Sequence, residues 1–575
     1  MLSRIAFLAH VSTKLIGVMP AHEHAARKTL FDALEQALPV RFEGRTAGGY
    51  AGLDAALLLP GTASEADSAP VPCLAALADE VVADDAAARA SHRFAAGPRI
   101  GLTVRPPLDT RLRGARLRDI TLEQSAPLPA SASDVVLAAR GEDPVWLSRR
   151  TVRGPRELVA VAPIELTAEE CLRDRLRDGR FLAVAALLQF LRTVSQDVAW
   201  RAPPLRACFL FDDPNLHWPS YGYLRYRELV READRHDYHV AFATIPIDGW
   251  LVHPGAARVF RGRPDRLSLV VHGNDHRRLE LARRPAKAEA RALLAQALRR
   301  IGAFERRSGV PVGRIMVAPH GVCSREVANH LVPLGFEALC INRPYSWHAR
   351  PPRSWLARPP GTSPLVGWFS SSVVENGLPV LLRRAFDDPV EDLALRAFLD
   401  QPLIMYGHHG DMEGGLDRLA ELAGTLRGLG DVQWQSLRDI AASNVTTRRH
   451  GNALHVRMLT RRVRLVVPDG VEHIAVETPS LNGHTGGDAI AWSADSNGAG
   501  GSGWKGLVPA GAAENHVTLP NAAQAVELRL LRTGVPDLGA IRDSATPPGA
   551  IIRRSLTEAR DRLTPLYRRR PKPTA

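Results

Sequence analysis

The chain has 575 residues, too many for one ordinary core, and its length argues for about three to four domains. With 45% hydrophobic and 23% charged residues it has the balance of a soluble globular protein. The formal charge of +13 could suit nucleic acid, but the arginines are scattered through every region and form no single basic stripe, so no nucleic-acid partner is expected. Five cysteines (Cys73, Cys171, Cys208, Cys323, Cys340) are odd in number and form no CxxC pair, which argues against a disulfide framework or zinc ribbon. The stretch up to Met19 contains His10 and Lys14 and lacks a small-residue cleavage site; it reads as a first strand at 5–9 rather than a signal peptide. No run is long and apolar enough to span a bilayer, and a cytoplasmic protein is expected.

Residues 1–198 alternate apolar runs with helical patterns. Strands are expected at 4–9, 55–59, 99–104, 135–139, 144–148 and 157–163, and helices at 22–37, 74–81 and 180–195, a pattern that predicts an α/β domain. The segments 144–154 and 158–163 resemble the closing strands of flavodoxin-like or glutamine-amidotransferase-like domains. No cysteine stands in an elbow motif, so this domain is expected to be non-catalytic and to serve packing, substrate docking or dimerisation.

Residues 199–447 carry strand-like runs at 206–211, 239–243, 267–271, 314–318, 337–341 and 402–406, with helical patterns between them. The clearest helix is 286–307, followed by Gly309. Repeated strand–helix units with reactive residues at strand ends predict a (β/α) barrel with its site on the C-terminal face. Residues 448–540 change to strand periodicity, at 454–459, 463–467, 474–477, 516–519 and 526–531, and predict a small antiparallel β-sandwich containing a Gly/Ser-rich loop at 493–503. Residues 541–575 are expected to form a basic C-terminal tail, with a short helix and a frayed end at Arg568-Arg569-Arg570-Pro571-Lys572.

The chemistry concentrates in the middle domain. Phe211-Asp212-Asp213-Pro214-Asn215 ends one apolar run, and His272-Gly273-Asn274-Asp275-His276 ends another. An Asp-Asp pair alone is commonly a turn or a helix cap, and HxxxH alone occurs by chance among 20 histidines. The two together, each at a strand end, point to a mononuclear metal site with Asp213, His272 and His276 as ligands. Asp212, left off the metal, is placed to take a proton from water, which makes a hydrolase the leading reading.

These residues resemble the NodB-type polysaccharide deacetylases, carbohydrate esterase family four. The resemblance rests, in the family's order, on Phe211-Asp212-Asp213, His272 to His276, Val317-Ala318-Pro319-His320-Gly321, and the late run from Leu403 through His408 and His409 to Asp411. It covers residues 205–440 and implies a distorted (β/α) barrel, a divalent metal, usually zinc, and removal of acetyl groups from N-acetylated sugars. It also implies Asp212 as general base, Asp213, His272 and His276 as ligands, and His408 as general acid. His409 matches equally by spacing; His408 is taken because it is closer to its strand.

Several positions depart from the family pattern. Pro214 follows the Asp pair, Gly273 replaces a Ser or Thr, and His320 stands where an aromatic is common. Val317 stands where the family has an Arg that orients the base, and Arg343 is expected to supply that charge. Asn215, His217 and Trp218 follow the first motif and, with His320 and Arg343, are expected to contact the sugar. Asp411 and Glu413 are expected either to orient the late histidines or to cap a helix. The expected partner is an acetylated glycan or sugar precursor. The alternatives are an O-deacetylase and a catalytically weak or inactive carbohydrate-binding scaffold that keeps the metal site.

Overall fold

The structure, a computed structural model, describes residues 13–78, 98–122, 125–166, 172, 180–277, 279–342, 372–374, 378–478, 489–495, 506–509, 515–519, 525–531, 536–546 and 548–568. The chain divides into two compact units. One comprises Met1–Arg201, Pro351–Trp368 and Pro389–Leu399; the other comprises Ala202–Arg350, Phe369–Asp388 and Asp400–Ala575. Among the described residues no helix is long and apolar enough to cross a membrane. The four described cysteines, Cys73, Cys208, Cys323 and Cys340, are buried.

The first unit is built on a nine-stranded sheet. Lys14–Met19, Val40–Gly44, Ala55–Leu58, Cys73–Ala78 and Gly154–Val161 run parallel, and the first strand lies between the second and third. This is the strand order of flavodoxin-like sheets. Antiparallel strands Asp143–Thr151, Val135–Arg140, Arg99–Leu102 and Arg116–Arg118 extend it. The strand expected at 4–9 lies outside the described residues, and the first described strand is Lys14–Met19. The helix expected at 74–81 is instead the strand Cys73–Ala78, with 79–81 outside the described residues. Ala and Leu favour helix locally, but Cys73 to Ala76 are buried between two parallel neighbours, and that packing outweighs intrinsic propensity.

The second unit begins with a closed parallel (β/α) barrel of seven strands: β1 Leu205–Asp212, β2 Val240–Thr244, β3 Leu267–His272, β4 Val312–Val317, β5 Ala338–Ile341, β6 Leu378–Ala385 and β7 Leu403–Gly407. Each pairs in parallel with the next, and β7 and β2 both pair with β1, which closes the ring. Strand β6 is absent from the six runs expected from sequence. Pro379 and the pair Arg383-Arg384 interrupt its apolar pattern, yet its first seven residues are all buried.

Alternate residues fill the barrel: Cys208 and Leu210, Ala241 and Ala243, Val270, Ile315 and Val317, Ala338 and Cys340, Leu381, and Ile404. Leu437 and Ile440 of the helix Leu437–Ala442 join this core, and Arg206 Nη1 at the start of β1 donates to Ile440 O (3.3 Å) and Ser443 Oγ (2.8 Å). The period of two along each strand carries the same inward face to the C-terminal ends. There it delivers Asp212, His272, Arg383 and Tyr406 in place of apolar residues.

Two four-stranded sheets follow the barrel. One contains Val445–His450, Ala453–Met458, His473–Glu477 and Asn515–Thr518; the other contains Arg462–Val466, Ala525–Leu531, Ala489–Asp495 and Gly506–Pro509. They enclose a core that includes Val456, Val463, Ile474, Ile490 and Leu528. The expected sandwich is not wholly antiparallel, because Ala453–Met458 pairs in parallel with His473–Glu477. Strand Arg462–Val466 crosses to the other sheet between them, so the chain returns in the same direction. The expected basic tail carries a 21-residue helix, α1, Pro548–Arg568; residues 569–575 lie outside the described residues.

Candidate metal centre

Asp212 ends β1, and Asp213 turns sharply out of the strand with φ 71°. Strand β3 ends in His272, and the following turn brings back His276 with φ 51°. The ligand atoms of Asp213, His272 and His276 lie within 4.8 Å of one another, close enough to share one ion. Asp213 Oδ1 stands 3.0 Å from His276 Nε2 and 3.4 Å from His272 Nε2.

The donor set fits a cation. His272 Nδ1 lies 2.9 Å from the carbonyl of Val317 and donates to it, which leaves Nε2 of the neutral ring as a lone pair facing the carboxylate. Asp213 Oδ1 is buried and accepts no hydrogen bond among the described residues. A buried carboxylate oxygen facing imidazole nitrogens without a proton between them is unfavourable unless a positive ion joins them. Burial pushes the Asp213 carboxyl up; imidazoles protonated in place of a bound ion would more than reverse this and hold it well below the usual carboxylate range.

The turn 273–276 is held by groups outside the expected site. The Glu280 carboxylate accepts from the backbone N–H of Asn274 (2.8 Å), Asp275 (3.1 Å) and His276 (3.2 Å). Gly273 has φ +61°, and a Cβ there would run into Glu280 and Pro319. This is the physical reason for Gly where a Ser or Thr was expected. Buried Asn274 donates to Gln296 Oε1 (2.7 Å), and Arg300 clamps both Asn274 and Asp275.

Asp212 is fixed by Arg383, not by a residue of the β4 end. Arg383 Nη1 donates to Asp212 Oδ1 at 2.6 Å, and the guanidinium side chain is 1% exposed. Its Nε donates to Asn342 Oδ1 (2.7 Å), and Asn342 Nδ2 donates to Tyr406 Oη (2.6 Å). The guanidinium also lies 4.1 Å from the centre of the Tyr406 ring. Burial lowers the Arg383 pKa, but Asp212 more than restores it, so the guanidinium keeps its charge beside the carboxyl. Arg343, expected in this part, lies outside the described residues. The signal for Arg383 was an Arg ending the apolar run Leu378–Leu382, but its partner is 171 residues away.

The structure separates the two late histidines. His408 Nε2 lies 4.0 Å from Asp213 Oδ2, and its side chain is 54% exposed. His409 is buried, packs edge-on against Tyr221, and turns its Nε2 to Asp561 of α1 at 3.4 Å. Asp411 accepts the His408 backbone N–H at 2.7 Å. His320 is exposed with φ 59°, and its ring lies 5.3 Å from that of His276.

The residues after the first motif face different ways. Asn215 and Trp218 line a cavity of about 210 Å³ beside Asp213. His217 is buried and is not among its lining residues; Nδ1 is 2.8 Å from Glu558 Oε1, and Nε2 is 2.7 Å from the Asp248 carbonyl. The far wall is α1, which supplies Arg554, Glu558, Asp561 and Arg562. Arg554 binds Asp248 Oδ2 at 2.6 and 3.0 Å and the Asp213 carbonyl at 3.3 Å. Sequence reasoning missed this wall. The readable trace was the spacing 554, 558, 561, one polar face of a helix whose other face carries exposed Ile552, Leu556 and Leu563.

The side chains thus define a barrel with a candidate cation site, a carboxylate locked beside it, and a cavity. No family model matches this chain, and no curated protein matches it. Among solved structures it is similar to Agd3, described as a novel carbohydrate deacetylase, at 10% identity over 90% of this chain and 98% of that one, with a TM-score of 0.42. It is also similar to a family 4 carbohydrate esterase from Streptomyces lividans in complex with acetate (10% identity, 41% and 94% covered, TM-score 0.26) and to the peptidoglycan deacetylase PdaC from Bacillus subtilis (12% identity, 42% and 91% covered, TM-score 0.25).

Proposed function

We propose that the protein is a metal-dependent hydrolase that removes acetyl groups from N-acetylated sugars or polysaccharide precursors. The observation that carries this is the buried, unsatisfied Asp213 Oδ1 facing two imidazoles, with Asp212 held beside it by Arg383. A His₂Asp set is a common ligand set for a hydrolytic divalent ion, and zinc is the proposed metal.

When bound, such an ion polarises the acetamide carbonyl and makes water more acidic. Asp213, His272 and His276 would hold it. Asp212 takes the proton of the water that attacks the carbonyl carbon. Arg383 keeps Asp212 oriented. His408, exposed and on the open side of Asp213, gives a proton to the nitrogen as the C–N bond breaks, and acetate and a free amine leave. His409, tied to Asp561, is less suited to that role.

Arg383 places beside Asp212 the positive charge that Val317 of the third motif lacks, which favours turnover over an inactive scaffold. The same side chains would serve an O-acetyl ester, so the assay carries both. Purified protein with added zinc is expected to release acetate from N-acetylated oligosaccharides, and Asp212→Asn is expected to lose about 10²–10⁴-fold in rate. No acetate from any N- or O-acetylated sugar, with metal bound, would overturn the reading.

A further inference from the structure

The cavity beside Asp213 has a wall that the deacetylase motifs do not supply. Helix α1 contributes Glu558 and Asp561, three residues apart on one face, and Arg562. All hydrogen bonds of Glu558 among the described residues fall on Oε1, from His217 Nδ1 (2.8 Å) and Trp218 Nε1 (2.9 Å). All polar contacts of Asp561 fall on Oδ1, from His409 Nε2 (3.4 Å) and Arg560 (2.8 and 2.9 Å). Glu558 Oε2 and Asp561 Oδ2 are therefore unspent acceptors, although Asp561 is only 9% exposed. Arg562 makes no hydrogen bond among the described residues; its guanidinium lies 3.7 Å over the Trp218 ring.

Unspent acceptors and unspent donors thus surround one small, aromatic-walled space. A net anion would meet the two carboxylates and a net cation would meet Arg562. A neutral polyhydroxylated ring uses both, with hydroxyls donating to Glu558 and Asp561 and accepting from Arg562. At about 210 Å³ the cavity is below the roughly 300–1,000 Å³ of drug-sized pockets, which suits a single sugar unit.

We propose that this cavity is a subsite for the neutral sugar unit adjoining the one whose acetyl group faces Asp213, so that α1 selects an oligosaccharide over a monosaccharide. This rests on the deacetylase reading for the position of the reacting unit. Binding to the zinc-loaded full chain tests it, read by Trp fluorescence and calorimetry. The probes are N-acetylglucosamine and N-acetylgalactosamine and their tetramers. At least one tetramer is expected to bind about tenfold tighter than its monomer. Arg562→Ala and Asp561→Asn are each expected to remove most of that preference, with zinc content unchanged as the measure of an intact centre. Equal binding of monomer and tetramer by the natural protein overturns the subsite, as does a full tetramer preference in both variants. Absence of acetate release strikes the deacetylase reading and leaves this binding ratio to be judged by itself.

Discussion

Arg383 and Asp212 form a buried ion pair whose partners are each nearly inaccessible, 1% and 5% exposed at the side chain. Removing one charge strands the other in a low-dielectric barrel, which typically costs about 3–5 kcal/mol. Arg383→Met is therefore expected to destabilise the second unit more than Asp212→Asn, and to abolish turnover because the proposed base is no longer oriented. Urea denaturation with acetate release in parallel checks this; equal stability of Arg383→Met and the natural protein would remove the pair from the account. A second buried acid lies in the first unit. Glu157 accepts from Trp146 Nε1 at 2.9 Å, and burial pushes its pKa up to about 8 from an ordinary 4.5. Between those values the unfolded chain is ionised there and the folded chain is not, so unfolding releases a proton. Stability then falls as pH rises, by up to about 1.4 kcal/mol per pH unit. Glu157→Gln is expected to flatten the pH dependence of unfolding of this unit across that window.

At the scale of elements, α1 is held to the barrel by polar groups. His217 and Glu558 form the central tie. Burial lowers the His217 pKa, but Glu558 and the Asp248 carbonyl raise it above the ordinary value. Burial raises the Glu558 pKa, but His217 and Trp218 bring it below the ordinary value. A histidine raised in the fold stabilises below its unfolded pKa and loses this as pH rises through the folded one. A glutamate lowered in the fold stabilises above its unfolded pKa and loses this as pH falls through the folded one. The tie is complete between the ordinary values of 4.5 and 6.5. Proteolytic cleavage within 548–568 is expected to be slowest there and faster at alkaline pH, and Glu558→Gln is expected to flatten the profile. A natural profile already flat would show that the pair does not hold the helix.

For the whole molecule, the candidate metal centre lies within the second unit, and among the described residues no other such group of His, Cys, Asp and Glu occurs. An ion that binds the folded centre and not the unfolded chain stabilises only that unit, by about 2.7 kcal/mol at a concentration 100 times its Kd. Calorimetry with zinc against a chelator is expected to shift one transition and leave the transition of the first unit in place. Asp213→Ala with His272→Ala should remove the shift and the bound metal together; a shift that survives in that variant places the ion elsewhere.

Much of the site was legible because its parts are contiguous. Asp212-Asp213 and the spacing from His272 to His276 each report a strand end in a few residues, and period-two burial carries such side chains to one face of a barrel. The pair His408-His409 was readable in the same local way as the end of a late apolar run, with nothing local to separate the two. What lay beyond reach depended on which distant segments meet. Cys73–Ala78 reads locally as helix and becomes a strand only between its neighbours. Arg383 looks like a break in an apolar run until barrel closure sets it against Asp212. Helix α1 looks like a tail until its polar face meets His217, His409 and Asp248. Sequence alone determined the metal-capable residues and the chemistry they permit. Tertiary structure alone decided which charge lies against Asp212, which late histidine stays exposed, and what walls the cavity, because those outcomes rest on long-range burial and pairing that no local pattern encodes.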